Sequence, residues 1–265
     1  MIGVFLDGRM GNHMFQYAFV LSLSKQKNTI WFVDQLKVNF ILPEYFELNS
    51  YSRIKNTILT KLYHLFFKKK AFLAQEDKLA KNELVHIYYK GFFQSLSYFK
   101  EHSALIKKNF QIREKYIYNF QAEKKNTLKS QSNYNVIHIR LTDYKDVRGE
   151  DLSLPIDYYK KAIGLLENEI EKYPTIVLSD DIKEAQHLLK NYPNFLYSKG
   201  IMINDFQWIS NAKNVIISNS SFAWWAAFLN NQSNNKIIAP YNWMGYNSNK
   251  QYPKGISEQL NWTWL

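Results

Sequence analysis

A histidine, an arginine, a threonine, an aspartate and a tyrosine fall within one short segment, His138-Ile139-Arg140-Leu141-Thr142-Asp143-Tyr144. Apolar and polar positions alternate there with period two, the pattern of a β-strand. Ile137, Ile139 and Leu141 share one face; His138, Arg140 and Thr142 share the other. A guanidinium beside an imidazole near a strand's C-terminal end suits an anionic ligand, and open α/β sheets collect ligands at that end. The same pattern also fits a strand end whose arginine pairs with a nearby acid. Two more polar clusters have this setting: Ser179-Asp180-Asp181 after an apolar run, and Asn219-Ser220-Ser221 after another. On parallel strands all three meet on one edge. Arg140 then offers a planar fork to phosphate oxygens. Ser220 and Ser221, at a helix start, offer hydroxyl and N–H groups to the same phosphates. A carboxylate of the Asp180-Asp181 pair could accept the two hydrogen bonds that guanine donates from N1 and N2. Both pairs equally read as helix caps.

The elements needed to position these groups are visible along the chain. Residues 2–6 read as a strand running into Asp7-Gly8-Arg9-Met10-Gly11-Asn12 and then a helix with Met14, Phe15, Ala18, Phe19 and Ser22 on its apolar side. The loop's N–H groups could hold an anion or a sugar hydroxyl, or make an ordinary turn. Residues 29–33 and 84–89 predict strands, residues 34–83 only helices, and residues 98–110 a helix. The polar stretch 119–133 predicts a linker, or a helix and linker, between two halves. Beyond it, Asp157 caps a predicted helix with Tyr159, Ile163, Leu166 and Ile170 on its stripe. Strands over 175–178, 215–217 and 236–239 alternate with helices over 182–189, 205–212 and from Phe222. Strands about 25 to 40 residues apart with helices between them indicate βαβ units and parallel sheets.

Composition narrows the chemistry. With 265 residues, 46% hydrophobic and 17% aromatic, the chain can build one large or two smaller cores. It has no cysteine, which excludes disulfides, thiolate metal sites and cysteine nucleophiles. The six histidines form no HExxH or comparable metal spacing, and no DxD pair, GxxxxGK[ST] or GxSxG is present. The N-terminal residues lack a basic leader, and no stretch reaches about 18 uninterrupted apolar residues, so neither a signal peptide nor a transmembrane helix is expected. A net charge of +11 favours polyanionic partners: nucleic acid, an acidic membrane surface or phosphorylated small molecules. The aromatics fall mostly at core periodicity, which argues against nucleic acid. Lys68-Lys69-Lys70 closes an apolar helical run over 58–67, either a core helix with a solvated end or one resting on an acidic membrane.

Several of these segments together resemble glycosyltransferase family 11, the α-1,2-fucosyltransferases. Gly8-Arg9-Met10-Gly11-Asn12-His13-Met14-Phe15-Gln16-Tyr17-Ala18 resembles that family's G-x-x-G-N-Q-M-F-Q-Y-A opening, and His138 to Tyr144 its H-x-R-R-x-D-Y motif. Val177-Leu178-Ser179-Asp180-Asp181 is similar to its F-S-D-D segment, Asn219-Ser220-Ser221-Phe222-Ala223-Trp224-Trp225-Ala226-Ala227 to N-S-S-F-S-W-W-A-A, and Ala239-Pro240-Tyr241-Asn242-Trp243 to A-P-x-x-W. The motifs keep their order from residue 8 to 243.

The resemblance implies an α/β, GT-B-like fold of two Rossmann-type halves with mainly parallel sheets. Residues 1–130 would form the acceptor side and residues 131–265 the GDP-fucose-binding domain. Transfer to a terminal β-galactoside would invert the anomeric centre, with no cofactor and no metal. Arg140 would hold the pyrophosphate as charge develops on it, with His138 and Asp181 by the guanosine and Asp180 also in the donor site. Asn219, Ser220, Ser221 and Phe222 would complete the donor site, with Gly11 and Asn12 by the fucose or acceptor and His13 and Trp224 on the acceptor side. Asp143, Asp146 and Glu150 are the candidate general bases; each also reads as a loop or helix residue. In two places the chain departs from the pattern. Leu141 stands where the family has a second arginine, and Thr142 where it has glycine. A strand running through 141 turns that side chain away from the His138/Arg140 face. A chain that has already turned loses a charged donor hydrogen bond of roughly 1.5–3 kcal/mol. His13 replaces a glutamine.

The expectation is therefore an enzyme that fucosylates a surface glycan such as an O-antigen. Its partners would be GDP-fucose and a galactose-terminated oligosaccharide. It would be cytoplasmic and, for a lipid-linked acceptor, peripheral at the inner membrane face. A transferase for another nucleotide sugar and a non-catalytic glycan- or nucleic-acid-binding protein are the alternatives.

Overall fold

The computed structural model describes residues 1–36, 38–67, 72–75, 87–147, 149–251, 253, 255–257 and 260–265. The chain divides into two units, Met1–Arg113 and Glu114–Leu265.

In the first unit β1 (Ile2–Phe5), α1 (Met10–Gln26), β2 (Trp31–Asp34), α2 (Leu42–Tyr45), α3 (Arg53–Leu62), β3 (Phe72–Gln75), β4 (Ile87–Lys90) and α4 (Ser103–Asn109) follow in order. The strands form a parallel sheet, β2-β1-β4-β3. Helix α1 is buried around most of its circumference, so its sequence carries more apolar residues than one stripe needs. Strand β3 lies within residues 34–83, where only helices are expected. Its sequence, Phe-Leu-Ala-Gln, has no β-branched residue and no alternation, hence no period-two signal. In the expected strand over 84–89, residues 84–86 lie outside the described residues, and β4 is the described part. Lys68-Lys69-Lys70 also lies outside them. The apolar run before it is α3 continued by a π-helical turn, Tyr63–Phe67. Ile58, Leu62, Leu65 and Phe66 are exposed, which contradicts a simple core helix. Among the described residues no helix is long and apolar enough to cross a membrane.

The second unit contains α5 (Glu114–Leu128), β5 (Asn135–Ile139), α6 (Ile156–Leu165), α7 (Glu167–Lys172), β6 (Thr175–Ser179), α8 (Ile182–Leu188), β7 (Leu196–Tyr197), α9 (Met202–Ser210), β8 (Asn214–Ile216), α10 (Ser221–Phe228), β9 (Lys236–Ala239) and β10 (Thr263–Trp264). All six strands are parallel, in the order β10-β9-β8-β5-β6-β7. The chain thus changes units earlier than residue 130, the boundary read from sequence. Much of the polar stretch belongs to α5, which is fastened inside this unit. Phe120 meets Trp208 edge-on at 5.0 Å, and the Trp208 indole N–H donates to Glu123. The expected helix from Asp157 breaks at Leu166 into α6 and α7, and Pro155, not Asp157, stands at the N-cap. β7 and β10 have two residues each, too few for a periodic signal.

Strand β5 is central, and all five of its residues are buried. Ile137, Ile139 and Leu141 pack in one cluster with Leu154, Tyr158, Tyr159, Ala162 and Ile163. The Tyr158 hydroxyl donates to the Ile217 carbonyl at 2.6 Å, tying α6 to the edge where β8 ends. Leu141 therefore continues the inward face although the strand stops at Ile139, and Arg140 remains on the other side.

Candidate active site

Strand pairing brings the three polar clusters to one edge. Ile139 is in register with Ser179 on β6, and Ile137 with Ile216 on β8. The segments that leave these strands therefore emerge side by side. A direct bond joins two of them: His138 Nδ1 and Ser218 Oγ lie 2.9 Å apart in a buried position.

Arg140, 18% exposed, is held by two carboxylates. Its Nη2 lies 2.6 Å from Asp143 Oδ1 and its Nη1 3.3 Å from Asp180 Oδ2. The guanidinium also sits 5.7 Å from the centre of the Tyr144 ring. Asp180 accepts from the Leu141 N–H at 2.9 Å, the Thr142 N–H at 3.2 Å and the Thr142 hydroxyl at 2.5 Å. Burial pushes the Asp180 carboxyl up, but the Thr142 hydroxyl, the Leu141 N–H and Arg140 outweigh it and hold its pKa below the usual value. Asp180 is thus an ionised clamp that fixes the turn after β5 and one side of the arginine. Asp181 works elsewhere, since its Oδ1 accepts from the Glu184 N–H at 3.0 Å and caps α8.

Ser220 is the N-cap of α10, and its side chain makes no capping bond. The first-turn N–H groups of α10 and the positive end of its dipole face the edge on which β5 and β8 end. Phe222 lies 6.0 Å from the His138 ring. Asn219 acts as a staple: its Nδ2 donates to the Leu152 and Trp243 carbonyls, both at 2.8 Å, and its own carbonyl accepts from the Tyr144 hydroxyl at 2.9 Å. Trp224 is buried, donates to the Ile256 carbonyl at 3.0 Å and stacks on Phe228, so in this structure it packs the core rather than facing an acceptor. Of the three candidate bases only Asp143 reaches Arg140. Asp146 accepts from the Gly149 N–H at 2.9 Å inside a turn, and Glu150 pairs with exposed Lys250 at 3.1 Å.

Three contributors had no role assigned from the sequence. Ser218, one residue ahead of the Asn219-Ser220-Ser221 cluster, orients His138. Thr142, a departure from the family pattern, is a ligand of the Asp180 clamp. Tyr144 joins the turn after β5 to Asn219. Ser218 and Tyr144 lie next to or within segments already singled out, and that adjacency was the available signal.

The first unit holds the remaining candidates. Helix α1 begins at Met10, which puts Gly11 and Asn12 in its first turn rather than in a loop. The Asn12 Oδ1 accepts from Gln94 at 2.8 Å, and Gln16 links the Asp7 N–H at 3.2 Å to the Gly91 carbonyl at 2.9 Å. His13 is buried with neither ring nitrogen hydrogen-bonded among the described residues. Burial lowers its pKa to about 4 against the pull of Asp7 and the Gly8 backbone. Gly8 has φ +78°, and a Cβ there would lie 2.2 Å from Asn12 Nδ2. Gly8→Ala is therefore expected to cost about 1–3 kcal/mol in backbone strain and to displace Asn12. Urea unfolding should move to lower denaturant, and an unchanged midpoint would refute the tight turn.

Burial, with Arg140 adding to it and Asp180 opposing, lowers His138 to about 4. The imidazole is neutral at pH 7, so it pairs with Ser218 as an uncharged group and leaves Arg140 as the cation. As pH falls below about 6.5, the unfolded chain takes up a proton at His138 that the native protein refuses. Stability should drop by about 1.4 kcal/mol per pH unit for this group, down to about pH 4. His13 adds a loss of the same sign. Asp205, raised to about 7 chiefly by burial, adds a gain over the same range. Comparison with His138→Asn isolates the first effect: the variant's urea midpoint should fall less steeply between pH 6.5 and 4, and parallel curves would contradict the assignment.

The family model described as Glycosyl transferase family 11 matches residues 1–265. The O-antigen biosynthesis glycosyltransferase WbnK of Escherichia coli is 31% identical over 169 residues, which is 60% of this chain but only 55% of that relative. The alpha-1,2-colitosyltransferase of Escherichia coli is 28% identical over 90% of each chain. Among solved structures, the alpha-1,6-fucosyltransferase NodZ, co-crystallised with GDP or soaked with GDP-fucose, covers 86% of this chain and 92% of its own. Its TM-score is 0.53 at 12% identity, which shows a shared GT-B-like fold.

Proposed function

The chain belongs to glycosyltransferase family 11, and from that premise we propose an inverting, metal-independent α-1,2-fucosyltransferase. Fucose moves from GDP-fucose to the 2-hydroxyl of a terminal β-galactoside in a surface glycan such as an O-antigen. The observation that carries the reading is the Arg140 guanidinium, gripped by Asp143 and Asp180 where the central strands end. As the bond from fucose C1 to the β-phosphate oxygen breaks, negative charge grows on the pyrophosphate. A fixed guanidinium and the first-turn N–H groups of α10 stabilise that charge more in the transition state than in the bound donor. They fill the role that a divalent ion has in other phosphate-leaving reactions.

The acceptor oxygen attacks C1 from the opposite face and inverts it, and its proton passes to a carboxylate. In this reading pyrophosphate oxygens replace Asp143 on Nη2 while Asp180 keeps Nη1 in place. Asp143, displaced from Nη2, is the carboxylate that takes the proton in this reading. Asp181 uses one oxygen for its cap, which leaves Oδ2 to accept from guanine. Ser220 and Ser221 lie with the phosphates, and Gly11, Asn12 and His13 serve the fucose or acceptor.

NodZ, a fucosyltransferase soaked with GDP-fucose, and WbnK, named for O-antigen biosynthesis, support the donor and the glycan setting. The colitosyltransferase relative favours a second reading with GDP-colitose as donor. Colitose is fucose without its 3-hydroxyl. A site built to hydrogen-bond that hydroxyl would reject colitose by roughly 10⁴-fold. GDP release from each donor, with a panel of β-galactosides and with or without EDTA, tests the proposal. Galactoside-dependent release from GDP-fucose, unchanged by EDTA, is expected. Preference for GDP-colitose would assign the second reading, and loss of activity in EDTA would overturn the metal-free mechanism.

A further inference from the structure

Helix α3 and its π-helical extension turn a row of large apolar residues outward. Ile54 is 77% exposed and Leu65 74%, with Ile58, Leu62 and Phe66 exposed between and beside them. Intervals of four, four and three residues from Ile54 to Leu65 put them on one side of the helix. The opposite side is pinned to the sheet by polar bonds. The Asn56 side chain accepts from the Val33 N–H at 2.8 Å and donates to the Val33 carbonyl at 3.0 Å. Thr60 donates to the same carbonyl at 3.4 Å, and Tyr63 stacks on Tyr88 at 4.8 Å. These partners fix the rotation of the helix, so the apolar stripe cannot turn inward.

The exposed charges on the helix have one sign, and Asp34, the carboxylate that bonds His64 at 2.7 Å, is buried. Arg53, Lys55 and Lys61 are exposed on the same helix, and the sequence has no Asp or Glu between Glu47 and Glu76. An apolar helix face edged by cations is the pattern of a helix lying in the headgroup region of an acidic bilayer. A second copy of the chain is a poor occupant, because two-fold pairing sets the same cations against one another.

We propose that α3 and residues 63–66 form a docking face for an anionic phospholipid surface. Ile54, Ile58, Leu62, Leu65 and Phe66 enter the interface while Lys55 and Lys61 meet headgroups. The face rests on exposure and charge in the first unit and holds whatever donor the second unit uses. Only its purpose, holding the enzyme near a lipid-linked acceptor, rests on the transferase reading.

The test is co-sedimentation of the full chain with vesicles of phosphatidylglycerol and phosphatidylcholine, and with phosphatidylcholine alone. Binding to the acidic vesicles is expected, weakened at high salt, where screening shortens to roughly 3 Å at 1 M. Leu65→Ser with Phe66→Ser, and separately Lys55→Gln with Lys61→Gln, should each lower partitioning about tenfold. Thermal midpoint and transfer to a soluble galactoside should stay unchanged in both. No binding to acidic vesicles, or equal binding by the variants, would overturn the proposal. So would a wild-type dimer that the Leu65/Phe66 variant loses. Because sedimentation needs no substrate, its failure leaves the transferase reading standing, and the converse also holds.

Discussion

Arg140→Ala is expected to lower kcat/KM for transfer about a thousandfold while the protein remains folded. Removing one preorganised donor from a developing anion typically costs 10²–10³ in rate, roughly 3–4 kcal/mol, and Arg140 contributes a full charge as well as a donor. The loss should fall more on kcat than on affinity for the intact donor, because the leaving group carries more charge in the transition state than in bound GDP-fucose. Arg140→Lys keeps the charge but not the fork, so it should recover only part of the rate. The structural penalty should be small by comparison, about 1–2 kcal/mol, since the ion pairs are partly solvated. Asp180 would still hold the turn through the Leu141 and Thr142 N–H groups. Steady-state kinetics, GDP-fucose titration calorimetry and urea unfolding separate these quantities. An alanine variant within tenfold of wild type would remove the guanidinium from the chemistry.

The site was legible in the sequence to the extent that it depends on strand polarity. Alternation through His138 to Thr142 put Arg140 on the outer face, and recurring βαβ spacing brought residues after 139, 179 and 216 to one edge. Division of labour within each pair was not legible. Asp180 and Asp181 are adjacent and identical in type; only three-dimensional neighbours make one a clamp and the other a cap. Asn219 and Trp224 fell in a motif, and a motif does not distinguish a residue that faces a ligand from one that holds the loop presenting it. The earlier unit boundary has a similar cause. Helix α5 is polar enough to resemble a linker, yet a few residues, Phe120 and Glu123 among them, fasten it to α9. A strand such as β3, four residues without alternation, carries no local signal because its pairing with β4 defines it.

Leu141→Arg restores the second arginine of the family pattern, and it is expected to destabilise this protein by about 3–5 kcal/mol with no gain in donor binding. Leu141 is buried with Ile137, Ile139 and Tyr158, on the far side of the backbone from Arg140. A guanidinium there would lose its hydration among apolar groups, and the nearest carboxylate clamp, Asp180, already serves Arg140 and the Leu141 N–H. Leu141→Met, which conserves volume and polarity, should cost less than about 1.5 kcal/mol. The thermal midpoint should therefore fall by roughly 10 °C in the arginine variant and by a few degrees at most in the methionine variant. If Leu141→Arg instead kept its stability and bound GDP more tightly, the side chain at 141 would face the phosphates. The two-faced reading of this strand end, and with it the separate roles given to Arg140 and Leu141, would then fail.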